Sequence, residues 1–201
     1  MSAPGVSDVE EVGVAAPVSI GGSPQILNYQ DREYPVEMGE GNIIREFTAI
    51  HNGSRRPTTL GTRNYIMTHC IINHDCILGN HNILSSGCKL AGFVHIQDHA
   101  NLGMNVAVHQ GVVIGSYTMI GMNAAVTKHV PPFTLYHPIL GIYKLNEVGL
   151  RRHNLPVEEI RRYYVYGTPP QHPTVQEYIL RFEQACKVAH CNRKTYAVDL
   201  H

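Results

Sequence analysis

His74 and Asp75 stand side by side, and together they can handle a proton. A neutral imidazole acts as a general base near physiological pH when a second group holds its other ring nitrogen. An adjacent carboxylate is such a group. Eighteen residues on is Gly92, and eighteen beyond it Gln110, with His109 as its neighbour. A residue with no side chain lets its peptide N–H approach a reacting carbonyl and donate to an oxyanion. A glutamine can hydrogen-bond a substrate amide. Base, oxyanion donor and orienting carboxamide suit acyl transfer, provided the chain winds at eighteen residues per turn. Each also has a blander reading: a surface His-Asp pair, a corner glycine, a surface glutamine.

The winding is legible. Every sixth residue from Leu60 to Val126 is aliphatic, and the residue after it is often glycine or small, as at Gly61, Gly79, Gly103, Gly115 and Gly121. Helices repeat apolar residues every three to four positions and half-buried strands every two, so neither explains the pattern. A six-residue period marks a hexapeptide β-helix, with a turn-permissive residue in each unit. Three units close one coil, and coils stack by parallel pairing about 4.8 Å apart. The expected fold is therefore mainly β: a left-handed parallel β-helix followed by a small α-helical C-terminal domain. In this fold His74, Gly92 and Gln110 form one outward column, and Asn73, Ala91 and His109 form the column beside it.

The expected organisation is a flexible leader over 1–17, the β-helix over 18–130 and a helical domain over 131–201. Loop excursions fall at 22–35, rich in polar residues and proline, and at 51–59. At the second, Ile50 and Leu60 are ten residues apart where the repeat allows six. That insertion should bulge outward and carry binding contacts. Beyond Val130-Pro131-Pro132 the periodicity becomes helical, with helices expected over 142–154, from Pro156 onward, and over 172–190.

Net charge is zero, which points away from a nucleic-acid footprint, and no apolar run is long enough to span a membrane. The first residues are acidic and small, unlike a signal or transit peptide. The five cysteines show neither metal nor disulfide spacing, and Cys70 and Cys88 should stack as buried thiols, consistent with a cytoplasmic protein. No metal is expected. His69 and His74 share a five-residue spacing with hexapeptide carbonic anhydrases, but Glu33 stands where those carry a third histidine. His81 and His99 stack, yet Tyr117 follows in their column. Arg55-Arg56, Arg151-Arg152 and Arg161-Arg162 could grip phosphates or meet an acidic carrier, or simply lie on solvated faces.

Several runs carry a resemblance. They are Gly41-Asn42-Ile43-Ile44-Arg45-Glu46-Phe47, Asn73-His74-Asp75-Cys76, Leu90-Ala91-Gly92, Ala107-Val108-His109-Gln110 and Leu145-Asn146-Glu147-Val148-Gly149-Leu150-Arg151-Arg152. In order and spacing, over about Ser19 to Arg162, the chain resembles the UDP-N-acetylglucosamine O-acyltransferases of lipid A biosynthesis. The resemblance implies transfer of a 3-hydroxyacyl chain from acyl carrier protein to the 3-hydroxyl of UDP-N-acetylglucosamine by a homotrimer. It implies no cofactor beyond the carrier's phosphopantetheine. His74 becomes the base, Asp75 its orienter and the Gly92 N–H the oxyanion donor. His109 and Gln110 contact the sugar or acyl amide, Asn146 and Arg152 the nucleotide end, and Met122 becomes the ruler of acyl length.

The departures from the family are specific. Phe93 replaces a histidine, Ile26 and Asn28 replace an acidic residue and a lysine, His153 replaces a second nucleotide arginine, and about three starting coils are missing. They motivate two rivals: transfer to an amino group of another nucleotide sugar, and a non-catalytic β-helix kept as an assembly partner.

Overall fold

The structure is a computed structural model and describes residues 13–14, 17–27, 32–189 and 193–198. Its strands are two residues long for most of the repeat, and each pairs in parallel with strands of the coils before and after. Ile83–Leu84 lies between Tyr65–Ile66 and Asn101–Leu102, Lys89–Leu90 between Ile71–Ile72 and Ala107–Val108, and His95–Ile96 between Ile77–Leu78 and Val113–Ile114. Each partner is eighteen residues away, so the three ladders form the three faces of the left-handed parallel β-helix that the period predicts. From Ile43–Ile44 to Ala125–Val126 every strand buries its second residue. Ile66, Leu84, Leu102 and Ile120 form one buried column, and Ile72, Leu90, Val108 and Val126 another.

The glycines that directly follow the inward aliphatics are not where the chain turns. The left-handed backbone falls three residues after each inward aliphatic, at Gly87 and Gly111 and at non-glycine residues such as His69, Asp75, His81, Phe93, His99, Asn105, Tyr117 and Asn123. Most of these are Asn, Asp or His, the non-glycine types that tolerate positive φ best. The glycine directly after the inward residue answers a different constraint. A Cβ on Gly79 would lie 2.9 Å from the Gln97 carbonyl oxygen, and one on Gly103 would lie 2.7 Å from the Met122 nitrogen. Stacked coils leave no room there for a methyl group. Inside one corner, Asn42, Asn64 and Asn82 stack. The Asn42 oxygen accepts the Asn64 N–H at 2.8 Å, and the Asn64 oxygen accepts the Asn82 N–H at 2.9 Å.

Toward the N-terminus, Gly13–Val14 pairs in parallel with Ile43–Ile44, so the ladder reaches into the segment expected to be a leader. The rest of that segment, apart from Pro17, lies outside the described residues. At the other end Thr134–His137 adds in parallel to Met119–Ile120 and turns back antiparallel as Gly141–Leu145. The helix expected over 142–154 is thus a strand followed by a short helix α1, Glu147–Arg152. Ile142 and Leu145 are buried by strand pairing, and their spacing only imitated a helical face. Helix α2 spans Val157–Tyr166 and α3 Pro173–Val188. Phe182 and Ala185 of α3 pack on Val113 of the prism. None of these helices is long and apolar enough to cross a membrane.

Replacing Ile96, fully buried in the prism, with alanine should cost about 2–5 kcal/mol of stability, read as a lower denaturant midpoint at unchanged slope.

Candidate active site

The three edges of the prism carry different chemistry. One follows the face built from Ile71–Ile72, Lys89–Leu90 and Ala107–Val108, and there the register stacks His74, Gly92 and Gln110 as expected. The imidazole lies directly on Gly92. A Cβ there would sit 2.4 Å from the ring Cε1 and 2.5 Å from Nε2. Gly92 has no positive φ, so it is not a corner glycine; it is glycine because a histidine ring occupies the space above it. Its carbonyl accepts from the Gly111 N–H at 3.0 Å. Its own N–H donates to no acceptor among the described residues. On the next edge the equivalent amides are taken up: Thr62 by the Asn80 carboxamide oxygen at 2.8 Å, and Asn80 by Asp98 at 2.8 Å.

His74 Nδ1 is 2.7 Å from Asp75 Oδ2, with His74 only 4% exposed and Asp75 fully buried. The 51–59 insertion does not bulge away. It folds onto the carboxylate, which accepts the backbone N–H groups of Ser54 (3.0 Å), Arg55 (2.7 Å) and Arg56 (2.9 Å) and the Ser54 hydroxyl (2.7 Å). Gly53 permits this turn, since a Cβ there would collide with the Arg56 carbonyl oxygen. Burial alone would raise the Asp75 carboxyl, but the His74 ring and the Ser54 and Arg55 donors outweigh it, and the group is held well below the usual carboxylate range. An ionised Asp75 only accepts, so in the neutral imidazole Nδ1 of His74 carries the ring proton and Nε2 the lone pair. The pair can therefore take a proton at Nε2 beside a free peptide N–H.

Phe93 lies edge-on to His74 with ring centroids 5.2 Å apart, and the Arg55 and Arg56 guanidinium carbons sit 5.7 and 5.9 Å from its ring centre. Arg56 also donates to the Asp75 carbonyl at 3.0 Å. His109 is exposed and Gln110 half-buried in the adjacent columns.

The remaining predicted residues lie on other edges. Asn146 caps α1: its oxygen accepts the Gly149 N–H at 3.2 Å, and its amide donates to the Tyr117 carbonyl at 2.9 Å. Both ends of the carboxamide thus have partners within the chain. His153 is exposed and packs against His99 and Tyr117, on the edge where His81, His99 and Tyr117 stack at 4.8 and 4.6 Å. Burial lowers His99 to about 4, which leaves its ring uncharged in that stack. Arg152 is exposed. Met122, 57% exposed, follows Met104 on the third edge. Within one chain, the base column, the α1 residues and the ruler position do not come together. Ile26 is half-buried, and Asn28 lies outside the described residues. Among the described residues no cluster of His, Cys, Asp or Glu could hold a metal ion.

No protein-family model matches the chain. It is 45% identical over 120 residues to the acyl-[acyl-carrier-protein]–UDP-N-acetylglucosamine O-acyltransferase of Burkholderia lata, a match covering 58% of this chain and 46% of that protein. It thus spans about half the length of the curated relatives it matches. Among solved structures, the UDP-N-acetylglucosamine acyltransferase of Francisella novicida superposes with a TM-score of 0.77 at 29% identity, over 92% of this chain and 77% of that one. A further UDP-N-acetylglucosamine acyltransferase structure is 32% identical over 84% of this chain and 68% of its own, with a TM-score of 0.70. The chain belongs to the UDP-N-acetylglucosamine acyltransferase family. Its residues at the family's motif include two features that column arithmetic did not reveal: the donor ring that 53–56 builds around Asp75, and the aromatic lid that Phe93 forms on His74. Only the ten-residue gap between Ile50 and Leu60 hinted at the first.

Two outcomes follow from this geometry. Gly92→Ala should displace the imidazole and abolish activity while leaving the fold's circular dichroism unchanged. Asp75 has a lower pKa folded than unfolded, so its stabilisation is full above the ordinary carboxylate value of about 3.9 and is lost as pH falls through it toward the folded value. Asp75→Asn should therefore shrink the difference between Tm at about pH 7 and at about pH 3; an unchanged difference would contradict the paired state.

Proposed function

We propose that the chain acts as an acyltransferase, moving a 3-hydroxyacyl group from acyl carrier protein to the 3-hydroxyl of UDP-N-acetylglucosamine, the first step of lipid A biosynthesis. The observation that carries this is the His74 ring, held by Asp75 at 2.7 Å and lying on Gly92, whose N–H has no acceptor among the described residues. The Burkholderia lata relative, an acyl-[acyl-carrier-protein]–UDP-N-acetylglucosamine O-acyltransferase, supports both the donor and the acceptor.

In this reading Nε2 of His74 takes the proton of the acceptor hydroxyl as its oxygen attacks the thioester carbonyl carbon. The carbonyl π electrons move onto oxygen, and the Gly92 N–H stabilises the resulting oxyanion. The carbonyl re-forms as the C–S bond breaks, and the phosphopantetheine thiolate leaves with the proton that His74 returns. Asp75 stays ionised throughout and stabilises the transient imidazolium. No cofactor other than the carrier's own phosphopantetheine takes part, and the reagents are those of the cytoplasm.

A homotrimer belongs to the same proposal. Threefold packing would set one chain's His74 edge against another chain's Met122 or α1 edge, assembling groups that a single chain keeps apart. Arg152 and His153 would then meet the nucleotide, with Asn146 fixing α1, and Met122 would close the acyl channel early.

One observation favours a second acceptor. Phe93, 6% exposed, puts an apolar edge against the base where the resemblance implies a histidine. An amino group on a related nucleotide sugar is the alternative nucleophile.

His74→Ala should lower turnover by about a hundred- to ten-thousand-fold, with sedimentation unchanged. Activity at the wild-type level would remove the mechanism. Hydroxyl and amino acceptors assayed side by side, with carrier thiol release as readout, separate the two readings; release with neither would leave the assembly-partner role. Met122→Gly should shift preference in an acyl-carrier panel toward longer chains.

A further inference from the structure

Residues 193–198 return to the prism beside the adjacent columns that hold His109 and Gln110. Thr195 forms a parallel bridge with His129, the Lys194 carbonyl accepts the His129 N–H at 2.9 Å, and the Tyr196 N–H donates to the His129 carbonyl at 2.9 Å. The Tyr196 hydroxyl ties the far end of the segment to Thr127 and Tyr136. Arg193, half-buried, is the polar centre of this docking. Its Nε donates to the Gln110 carbonyl at 2.7 Å and its Nη1 to the Thr127 carbonyl at 3.0 Å, and its Nη2 faces His109 Nδ1.

The chemistry of that last contact has one solution. A guanidinium has five N–H donors, no acceptor, and does not deprotonate in proteins. The ring nitrogen facing it must therefore accept, so Nδ1 of His109 is bare and the proton of the neutral ring sits on Nε2. The two carbonyl bonds fix the guanidinium in place, so the demand on His109 is fixed as well. His74, on the same edge, faces a carboxylate and has the opposite tautomer.

We propose that Arg193 is a positioning residue that holds His109 as an Nε2–H donor toward an oxygen of the acceptor substrate, its sugar or acyl amide, on the edge where His74 acts as base. This rests on the acyltransferase reading of that edge. His109 touches the substrate; Arg193 acts only through it. The edge then offers a proton acceptor at His74 and a proton donor at His109, each set by the neighbour of its Nδ1.

Nitrogen-15 histidine NMR of the full chain at about pH 8.5, where ordinary imidazoles are neutral, reads the tautomer directly. The His109 signals are assigned by their loss in His109→Gln. The expected result is an unprotonated Nδ1 in the wild type, a mixture of tautomers in Arg193→Met, and recovery in Arg193→Lys, whose ammonium also donates. In kinetics Arg193→Met should raise the acceptor KM roughly tenfold with kcat nearly unchanged, the loss of one uniform hydrogen bond. Tyr196→Phe loosens the same segment without touching His109 and should leave both readouts near wild type. A protonated Nδ1 in the wild type, an unaltered tautomer in Arg193→Met, or equal effects from Tyr196→Phe would overturn the proposal. A wild-type chain that turns over no acyl-carrier substrate yet shows the Arg193-dependent tautomer would uphold the positioning and overturn the acyltransferase reading.

Discussion

Parallel backbone pairing at an interval of eighteen residues is the constraint on which the rest of this structure depends. Coils held about 4.8 Å apart leave each outward residue a fixed neighbour above and below. The interval decides what may stand at a position before any chemistry is considered. Gly79 and Gly103 are bare because the next coil's backbone passes where a Cβ would be. Gly92 is bare because an imidazole does. The same stacking rule thus makes a structural glycine on one edge and, on another, a peptide N–H next to a base.

Two histidines on that edge show how neighbours convert one side-chain type into two tools. His74 meets an acceptor at Nδ1 and so presents a lone pair at Nε2; His109 meets a donor at Nδ1 and so presents a proton. Each outcome follows from the partner's inventory of donors and acceptors. The Asp75 carboxylate can act this way only because it stays ionised while fully buried. Three backbone N–H groups and one hydroxyl from Ser54–Arg56 replace the water it has lost. An isolated buried carboxylate would take up a proton instead and lose its hold on the base.

What the sequence made legible was whatever repeated. The inward aliphatics, the three ladders and the His74–Gly92–Gln110 column all follow from one period. What stayed hidden was aperiodic. Ser54 reaches Asp75 through an insertion whose length could be seen but whose direction could not. Arg193 meets His109 across 84 positions of sequence, with no pattern linking them. Ile142 and Leu145 matched a helical face because two strand residues bracketing a bulged hairpin share that spacing. The glycines that follow inward residues were recognised as significant, but for the wrong reason: they mark close coil approach, while the turn itself falls two residues later, mostly at left-handed Asn, Asp and His residues. Asn146, expected at a ligand, is engaged at both ends in fixing α1 to the prism.

Phe93 shows how a single outward position couples backbone, base and surroundings. It takes the left-handed corner conformation, with φ of 62°, which costs a bulky residue strain that its contacts must offset. Those contacts are substantial. Its ring is buried edge-on against His74 and carries two guanidinium groups over its face. Edge-to-face packing and cation–π attraction are each worth about 0.5–1.5 kcal/mol at such sites. The ring therefore helps to exclude water from the base, and it also tethers the side chains of the segment whose backbone solvates Asp75. A polar residue in its place would give the substrate a hydrogen bond and leave that segment less firmly held. In the acyltransferase reading, Phe93 gives up a polar contact with the acceptor for a drier and more rigid His74–Asp75 pair. The choice of acceptor therefore turns, in that reading, on Phe93, while the His74–Asp75 pair would serve any acyl transfer at this edge unchanged.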